Sequence, residues 1–148
     1  MTQSFAPSPA RPALHARVIP VGAGLLATAL ATDLLYCRTL SSQWETFSIW
    51  LLTAGLIVAA ISGLALLLDI GLGRVERLSW PRFSALTAAA LLSLLNAFIH
   101  SRDGYTAVAP IGLALSAAVT LILVFVGLHG WSLSGRSAAD EARSLERL

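Results

Sequence analysis

The sequence contains no lysine, a single cysteine and few charged residues of either sign. Its 148 residues carry ten basic side chains, all of them arginine, and eight acidic ones, so charged residues make up only 12% of the chain. Soluble domains contain about 25%. A small soluble domain needs more polar surface than this, because it exposes a large fraction of its chain to water. The shortage of charge excludes a disordered chain or a coiled coil and argues against a soluble enzyme.

The residue patterns of common enzymes and binding proteins are also absent from the sequence. There is no nucleophile triad, phosphate-binding loop or dinucleotide fingerprint. Basic and aromatic residues do not interleave on one face, as they do in nucleic-acid-binding proteins, and Cys37 has no second cysteine for an internal disulfide. We therefore expect no nucleic-acid partner, and a non-enzymatic role is favoured over an enzymatic one.

Apolar residues, in contrast, make up 56% of the chain and give it a mean hydropathy of +0.75. They lie in four nearly uncharged stretches, each close to the ~20 residues that a helix needs to cross a bilayer. Because a backbone in lipid must satisfy its own hydrogen bonds, these stretches predict helices, near residues 18–36, 47–70, 83–100 and 109–132. The predicted fold class is all-α, an integral membrane four-helix bundle whose short connections make neighbouring helices antiparallel in an up-down order.

The predicted membrane domain covers residues 15–135. Residues 1–14, which are rich in proline, are expected to form a disordered tail, and residues 136–148 a cytoplasmic C-terminal tail. An alternative interpretation takes residues 18–32 as the apolar region of a cleaved signal peptide. A proline and a glycine interrupt that region early, and the chain stays apolar beyond it, which favours a retained first span.

Arginine is distributed unequally between the two predicted sides of the membrane. Eight arginines lie on the side that holds both termini: Arg11, Arg17, Arg74, Arg77, Arg82, Arg136, Arg143 and Arg147. On the other side are Arg38 and Arg102. Because cytoplasmic flanks carry the excess of basic residues, both termini are predicted to be cytoplasmic.

Small residues at four-residue spacing line one face of the second and of the third predicted helix. These faces consist of Gly55, Ala59 and Gly63 on the second helix and of Ala85, Ala89, Ser93 and Ala97 on the third. Residues four apart share a face of a helix, and small side chains let helices approach closely in lipid. We expect both faces to lie inside the bundle. The alternative is a contact with a second copy of the chain or with a partner in a membrane complex.

Polar residues within the predicted spans are candidate functional residues, because they are costly to bury in lipid. A candidate polar cluster on the outer side consists of Asp33, Asn96, His100, Arg102 and Asp103. Asn96 and His100 lie one turn apart on one helix face, at the depth predicted for Asp33. The cluster is predicted either to relay protons or bind a polar headgroup, or to be a hydrogen-bonded contact between helices.

Two histidines on the cytoplasmic side are candidates for cofactor binding. A b-type haem between helices needs two axial histidines at similar depth, and His15 and His129 form such a pair, with His15 expected just before the first helix. Cys37 and His100 lie on the opposite side, so the ligands of a zinc site are divided. We predict no metal and no cofactor, with haem b as the alternative.

Residues in all four predicted helices resemble a known family. They include residues 32–36 (Thr-Asp-Leu-Leu-Tyr), residues 47–55, and above all residues 96–105, which read Asn-Ala-Phe-Ile-His-Ser-Arg-Asp-Gly-Tyr. Over most of the chain the sequence resembles the bacterial predicted-membrane-protein family catalogued as domain of unknown function 2231. The resemblance implies a four-helix protein of the bacterial inner (plasma) membrane. The residues that match polar positions of the family are Asp33, Asp69, Asn96, His100 and Arg102.

The sequence thus predicts a multi-pass inner-membrane protein without specifying its biochemical activity. The first hypothesis is an accessory or interaction subunit. Some relatives are joined to Rieske or cytochrome-like modules, so the resemblance implies a place near electron transport. The alternatives are a redox protein that binds haem b or a quinone, and a small transporter that acts as a dimer. The middle of each predicted span lacks ionisable groups, which counts against ion transport.

Overall fold

The computed structural model describes residues 13–75, 77–102 and 108–134. Within these ranges the chain forms four long helices: α1 (His15–Thr39), α2 (Ser42–Gly71), α3 (Trp80–Arg102) and α4 (Leu113–Leu128). A π-helical turn, Val108–Gly112, leads directly into α4. Each helix, α4 together with the end of this turn, is long and apolar enough to cross a membrane. The predicted all-α fold of four spans is confirmed.

The first helices are longer than the sequence predicts. α1 begins at His15 rather than at residue 18, and α2 begins at Ser42 rather than at residue 47. The connection between them is short because Leu40 adopts a left-handed conformation, with a φ of 52°, and its amide donates to the Tyr36 carbonyl oxygen. This geometry ends α1 and reverses the chain within a few residues.

α4 ends earlier than predicted, at Leu128 instead of residue 132. The chain leaves the helix through Gly130, whose φ of 91° favours glycine over any residue with a side chain. The segment that follows folds back toward the start of α3, where the Ser79 amide donates to the Leu133 carbonyl oxygen over 2.8 Å. The predicted helical end of the fourth span is therefore a turn and an extended segment.

α1 and α2 approach each other closely at two buried glycines, Gly22 and Gly55. A Cβ atom added at Gly22 would lie 3.2 Å from the Val58 side chain and 3.4 Å from the Gly55 carbonyl oxygen. A Cβ atom added at Gly55 would lie only 2.6 Å from Cδ2 of Leu26. The absence of side chains at these positions allows the two backbones to come together, as is common between membrane helices.

Replacing Gly55 by alanine is expected to destabilise the bundle by about 1–3 kcal/mol, the usual result of overpacking a core. The new Cβ would approach Leu26, a side chain only 4% exposed, so that α1 and α2 must separate or Leu26 must change rotamer. Gly63→Ala on the same helix is the matched control, because a Cβ there meets no atom within 4 Å. That variant should be neutral or up to about 1 kcal/mol more stable. Thermal unfolding in detergent measures both changes, and a Gly55→Ala protein as stable as the wild type would contradict the close contact.

The apolar core lies in the middle of the bundle and receives side chains from all four helices. Ala29 of α1, Leu52 of α2, Ala89 of α3 and Val119 of α4 are each at most 1% exposed. Ser93, one turn beyond Ala89, is fully buried as well. Ala89 and Ser93 of α3 thus face the interior of the same chain, as predicted. On α2 the prediction is only partly right, because Gly55 is buried but Gly63 is exposed. A contact with a partner through either face stays a prediction.

Candidate functional site

Five buried polar side chains, one or two from each helix, meet near the α1–α2 turn. This group, named here the Asp33 cluster, consists of Asp33 from α1, Ser48 from α2, Asn96 and His100 from α3, and Ser116 from α4. None of the five is more than 4% exposed. The short turn at Leu40 brings the start of α2 to the level of Asp33, while the four-residue spacing of Asn96 and His100 puts both on the inner face of α3.

The carboxylate of Asp33 is hydrogen bonded through both of its oxygens. Oδ1 accepts a hydrogen bond from the Ser48 hydroxyl over 2.5 Å and lies 3.2 Å from Nε2 of His100. Oδ2 accepts a hydrogen bond from the Ser116 hydroxyl, also over 2.5 Å. Asp33 therefore joins α1 to the other three helices, and its charge, costly in an apolar interior, is met by donors on each of them.

Both ring nitrogens of His100 face hydrogen-bond acceptors. Nδ1 lies 3.0 Å from the Asn96 carbonyl oxygen, and Nε2 faces the Asp33 carboxylate. A neutral imidazole has one N–H, so it can donate only one of these bonds. The geometry fits a protonated His100 beside an ionised Asp33, a buried ion pair with no net charge.

The side-chain amide of Asn96 completes the cluster with one bond and one unused atom. Its Nδ2 donates to the Ser116 hydroxyl oxygen over 2.8 Å, and that hydroxyl in turn donates to Asp33. In the part of the chain that the structure describes, Asn96 Oδ1 is the one buried side-chain polar atom without a hydrogen-bond partner. It is the point of the cluster at which a further donor, such as a water molecule, would add a bond.

The structure brings three members of the predicted outer cluster together, namely Asp33, Asn96 and His100. Arg102 is the last residue of α3, but the structure does not describe its side chain. Asp103 lies outside the described residues. The expected closure of the cluster by these two residues thus stays a prediction. Asp33 is hydrogen bonded to Ser48 and Ser116 and faces His100.

A second buried polar group lies at the opposite end of the bundle. This group, the His15 cluster, consists of His15 at the start of α1, Asp69 near the end of α2, Arg74 beyond it and the backbone of Leu133. Asp69 Oδ2 accepts from both the amide and Nδ1 of His15, over 3.0 and 2.8 Å. Asp69 Oδ1 accepts from Nη1 of Arg74 over 3.1 Å. His15 and Asp69 are both fully buried.

The partners of His15 define which of its nitrogens carries the proton. The Leu133 amide donates to Nε2 over 3.0 Å, so Nε2 is an acceptor and the ring proton resides on Nδ1, facing Asp69. His15 is therefore neutral, and both of its ring nitrogens are engaged within the protein.

His15 and His129 do not form the pair that a haem would need. The expectation that His15 precedes the first helix is wrong, since it is the first residue of α1 and 0% exposed. His129 lies just after α4, is exposed, and has its Nδ1 2.7 Å from the Phe125 carbonyl oxygen. With both nitrogens of His15 engaged, axial ligation would require breaking its bond to Asp69 or to Leu133.

An apolar cavity of about 200 Å³ separates the two clusters on one side of the bundle. Its walls come from the first half of α1, the second half of α2, the first half of α3, the second half of α4 and the segment after α4. The residues that line it include Ile19, Leu26, Gly63, Phe83 and Leu133. Neither cluster contributes a side chain to the lining.

The comparison with protein families agrees with this architecture. The family model described as predicted membrane protein (DUF2231) matches residues 11–141. The chain belongs to the DUF2231 family. The match spans all four helices, both polar clusters and the cavity, which confirms the resemblance found in the sequence. No curated protein and no solved structure matches the chain.

Two members of the Asp33 cluster, Ser48 and Ser116, are not predicted from the sequence. A serine in an apolar helix commonly bonds the carbonyl oxygen of its own helix one turn back, as Ser62 and Ser93 do here. The one sequence feature that links Ser48 and Ser116 to the cluster is their depth in the membrane, because each lies in the half of its helix that is level with Asp33. Likewise, the pairing of His15 with Asp69 is indicated only by their common side of the membrane.

Proposed function

We propose that this protein is an accessory or interaction subunit of a membrane complex, without a catalytic centre of its own. The observation that carries the proposal is that the ionisable side chains buried in the two clusters bond to each other. Both oxygens of Asp33, both oxygens of Asp69 and both ring nitrogens of His15 are occupied within the chain. Groups engaged in this way hold helices together rather than face a substrate.

Transport is less well supported by the same geometry. The two clusters are separated along α1 by 18 residues, or about 27 Å. The buried residues of α1 from Ile19 to Ala29 are all apolar or glycine, and they pack against the apolar core. Along α1, the buried residues between the clusters therefore offer no polar group of the kind that an ion route needs.

For the location, we propose the bacterial inner membrane with both termini in the cytoplasm. The His15 cluster places the start of α1 beside the end of α2 and the segment after α4. Arg74 and Arg77 in the α2–α3 connection and Arg82 in the first turn of α3 lie at this same end. A basic end of the bundle is expected on the cytoplasmic side.

Purification from native membranes in a mild detergent tests the accessory role. We expect a colourless assembly that contains a second polypeptide in constant ratio, together with a flat dithionite-reduced minus oxidised visible spectrum. Native mass spectrometry gives the ratio. A tag moved to the second polypeptide provides the control, since a specific partner must bring down this chain in the same ratio.

Two results would contradict the proposal. One is a protein that purifies alone, as a monomer or homo-oligomer, or that a tagged second polypeptide does not bring down. The other is an absorption band with a sharp α-peak that is lost in His129→Ala, which would make the chain a cytochrome.

A further inference from the structure

The cavity between α1, α2 and α3 has a hydrocarbon lining. The two hydroxyl groups among its lining residues are those of Ser62 and Thr87, and each donates to a carbonyl of its own helix, Val58 and Phe83 respectively. At about 200 Å³ it exceeds the ~150 Å³ of an apolar protein cavity that stays dry and takes up benzene. Its chemistry and size suit part of a hydrocarbon chain.

The cavity opens sideways toward lipid rather than toward water. Gly63 of α2 and Thr87 of α3 line it and are exposed at the surface of the bundle. Both residues lie inside candidate membrane spans. A Cβ atom at Gly63 would meet no protein atom within 4 Å, so the mouth is free of protein contacts. In a bilayer, the molecules that face a gap between two spans at this depth are lipid acyl chains.

Arginines lie at the end of the cavity from which a headgroup would extend. Leu66 and Phe83 mark that end. The α2–α3 connection contains Arg74 and Arg77, and Arg82 lies in the first turn of α3. Arg74 pairs with Asp69 and Arg82 donates to the Ser132 carbonyl oxygen, while Arg77 is exposed. With Glu76 also in the connection, residues 69–82 hold three positive and two negative charges, a net excess of one positive charge.

We propose that this cavity and the arginines beside it form a binding site for one anionic phospholipid. An acyl chain lies in the opening between α2 and α3, and the phosphate is bound at the α2–α3 connection by Arg77. Guanidinium groups bind phosphate through paired hydrogen bonds, and basic pockets between spans are typical sites for anionic lipid headgroups. A quinone headgroup is disfavoured, because the two hydroxyl groups of the lining already donate to their own helices.

The test measures lipid retention by native mass spectrometry of the full chain. The protein is released from mixed micelles that contain dioleoyl phosphatidylglycerol, dioleoyl phosphatidylcholine or ubiquinone. The two phospholipids share one acyl composition and differ in headgroup charge, so their comparison separates charge recognition from general lipid adhesion, and ubiquinone tests the alternative ligand. We expect the wild type to retain one phosphatidylglycerol and to prefer it to phosphatidylcholine by about fivefold, the equivalent of the ~1 kcal/mol contributed by one basic residue at a lipid surface.

Two pairs of matched variants locate the site. Gly63→Leu fills the mouth and should lower phosphatidylglycerol retention at least tenfold, whereas Gly24→Leu, at an exposed glycine of α1 outside the cavity with equally open space, should not change it. Arg77→Gln should abolish the preference for phosphatidylglycerol, and Arg17→Gln, at an exposed arginine of α1, should keep it. Ala90→Leu fills the cavity from α3 and replaces Gly63→Leu if that variant does not fold.

Three outcomes would overturn the proposal. They are equal retention of the two phospholipids by the wild type, undiminished retention by both cavity-filling variants, and preferential retention of ubiquinone. The first removes the role of charge, the second places the lipid elsewhere on the surface, and the third assigns the cavity to a different ligand.

Discussion

Replacing Asp33 by leucine is expected to lower the free energy of unfolding by about 3–5 kcal/mol, the typical result of removing one partner from a buried ion pair. The carboxylate accepts hydrogen bonds from Ser48 and Ser116 and faces His100, so its loss affects contacts to α2, α3 and α4 at once. The serines can return to carbonyl oxygens of their own helices. His100 loses the carboxylate that its Nε2 faces.

Reversible unfolding in mixed detergent micelles measures this loss. Thr32→Val is the control at the adjacent position, because Thr32 is also buried but its hydroxyl donates only to the Ala29 carbonyl oxygen of its own helix. Its expected loss is below about 1 kcal/mol, in line with the ~0.6 kcal/mol average for hydrogen bonds in membrane proteins.

A double-mutant cycle with His100→Leu separates the ion pair from the packing. If Asp33 and His100 form the proposed pair, His100→Leu costs less in the Asp33→Leu background than in the wild type, with a coupling of about 1–3 kcal/mol. Additive losses would show that the two side chains are near each other without stabilising each other.

The meeting of Asp33, Asn96 and His100 is predictable from the sequence because it depends on two simple quantities. Depth follows from counting residues at 1.5 Å each from the charged ends of the spans, and the shared face of Asn96 and His100 follows from their four-residue spacing. The serines are not predictable in the same way. Whether Ser48 and Ser116 point toward Asp33 depends on the rotation of α2 and α4 about their axes, which close contacts such as Gly55 against Leu26 determine.

The His15 cluster shows what hydropathy cannot predict. The apolar run begins at Val18, so a prediction based on hydrophobicity starts the helix there and leaves His15 in water. In the folded chain, Asp69 and the Leu133 amide satisfy the ring, and the helix extends to include it. Leu133 lies in the segment that returns after Gly130, and neither the early end of α4 nor this return is visible in the composition of a uniformly apolar span.

Replacing Asp69 by leucine is the second change with a large expected effect, again about 3–5 kcal/mol. Its carboxylate holds the amide and Nδ1 of His15 and the guanidinium of Arg74, and all three lose their acceptor together. Arg74→Gln is the matched control within the same cluster. It removes one charged hydrogen bond, from a side chain that is 22% exposed, and leaves both His15 bonds to Asp69 in place, so its expected loss is smaller, about 1.5–3 kcal/mol.

Asp69→Leu should also increase the mobility of the segment around Leu133, through its effect on His15. His15 accepts the Leu133 amide through Nε2 because Asp69 fixes its proton on Nδ1 and holds the ring in place. Without the carboxylate the ring is free to turn, the Leu133 amide loses its acceptor, and the paired segment at Ser79 loosens with it. Hydrogen exchange of the Leu133 amide should therefore quicken in Asp69→Leu and in His15→Phe but hardly in Arg74→Gln. Unchanged exchange in the first two variants would mean that the Ser79 bond and the packing of Leu133 hold the segment without His15.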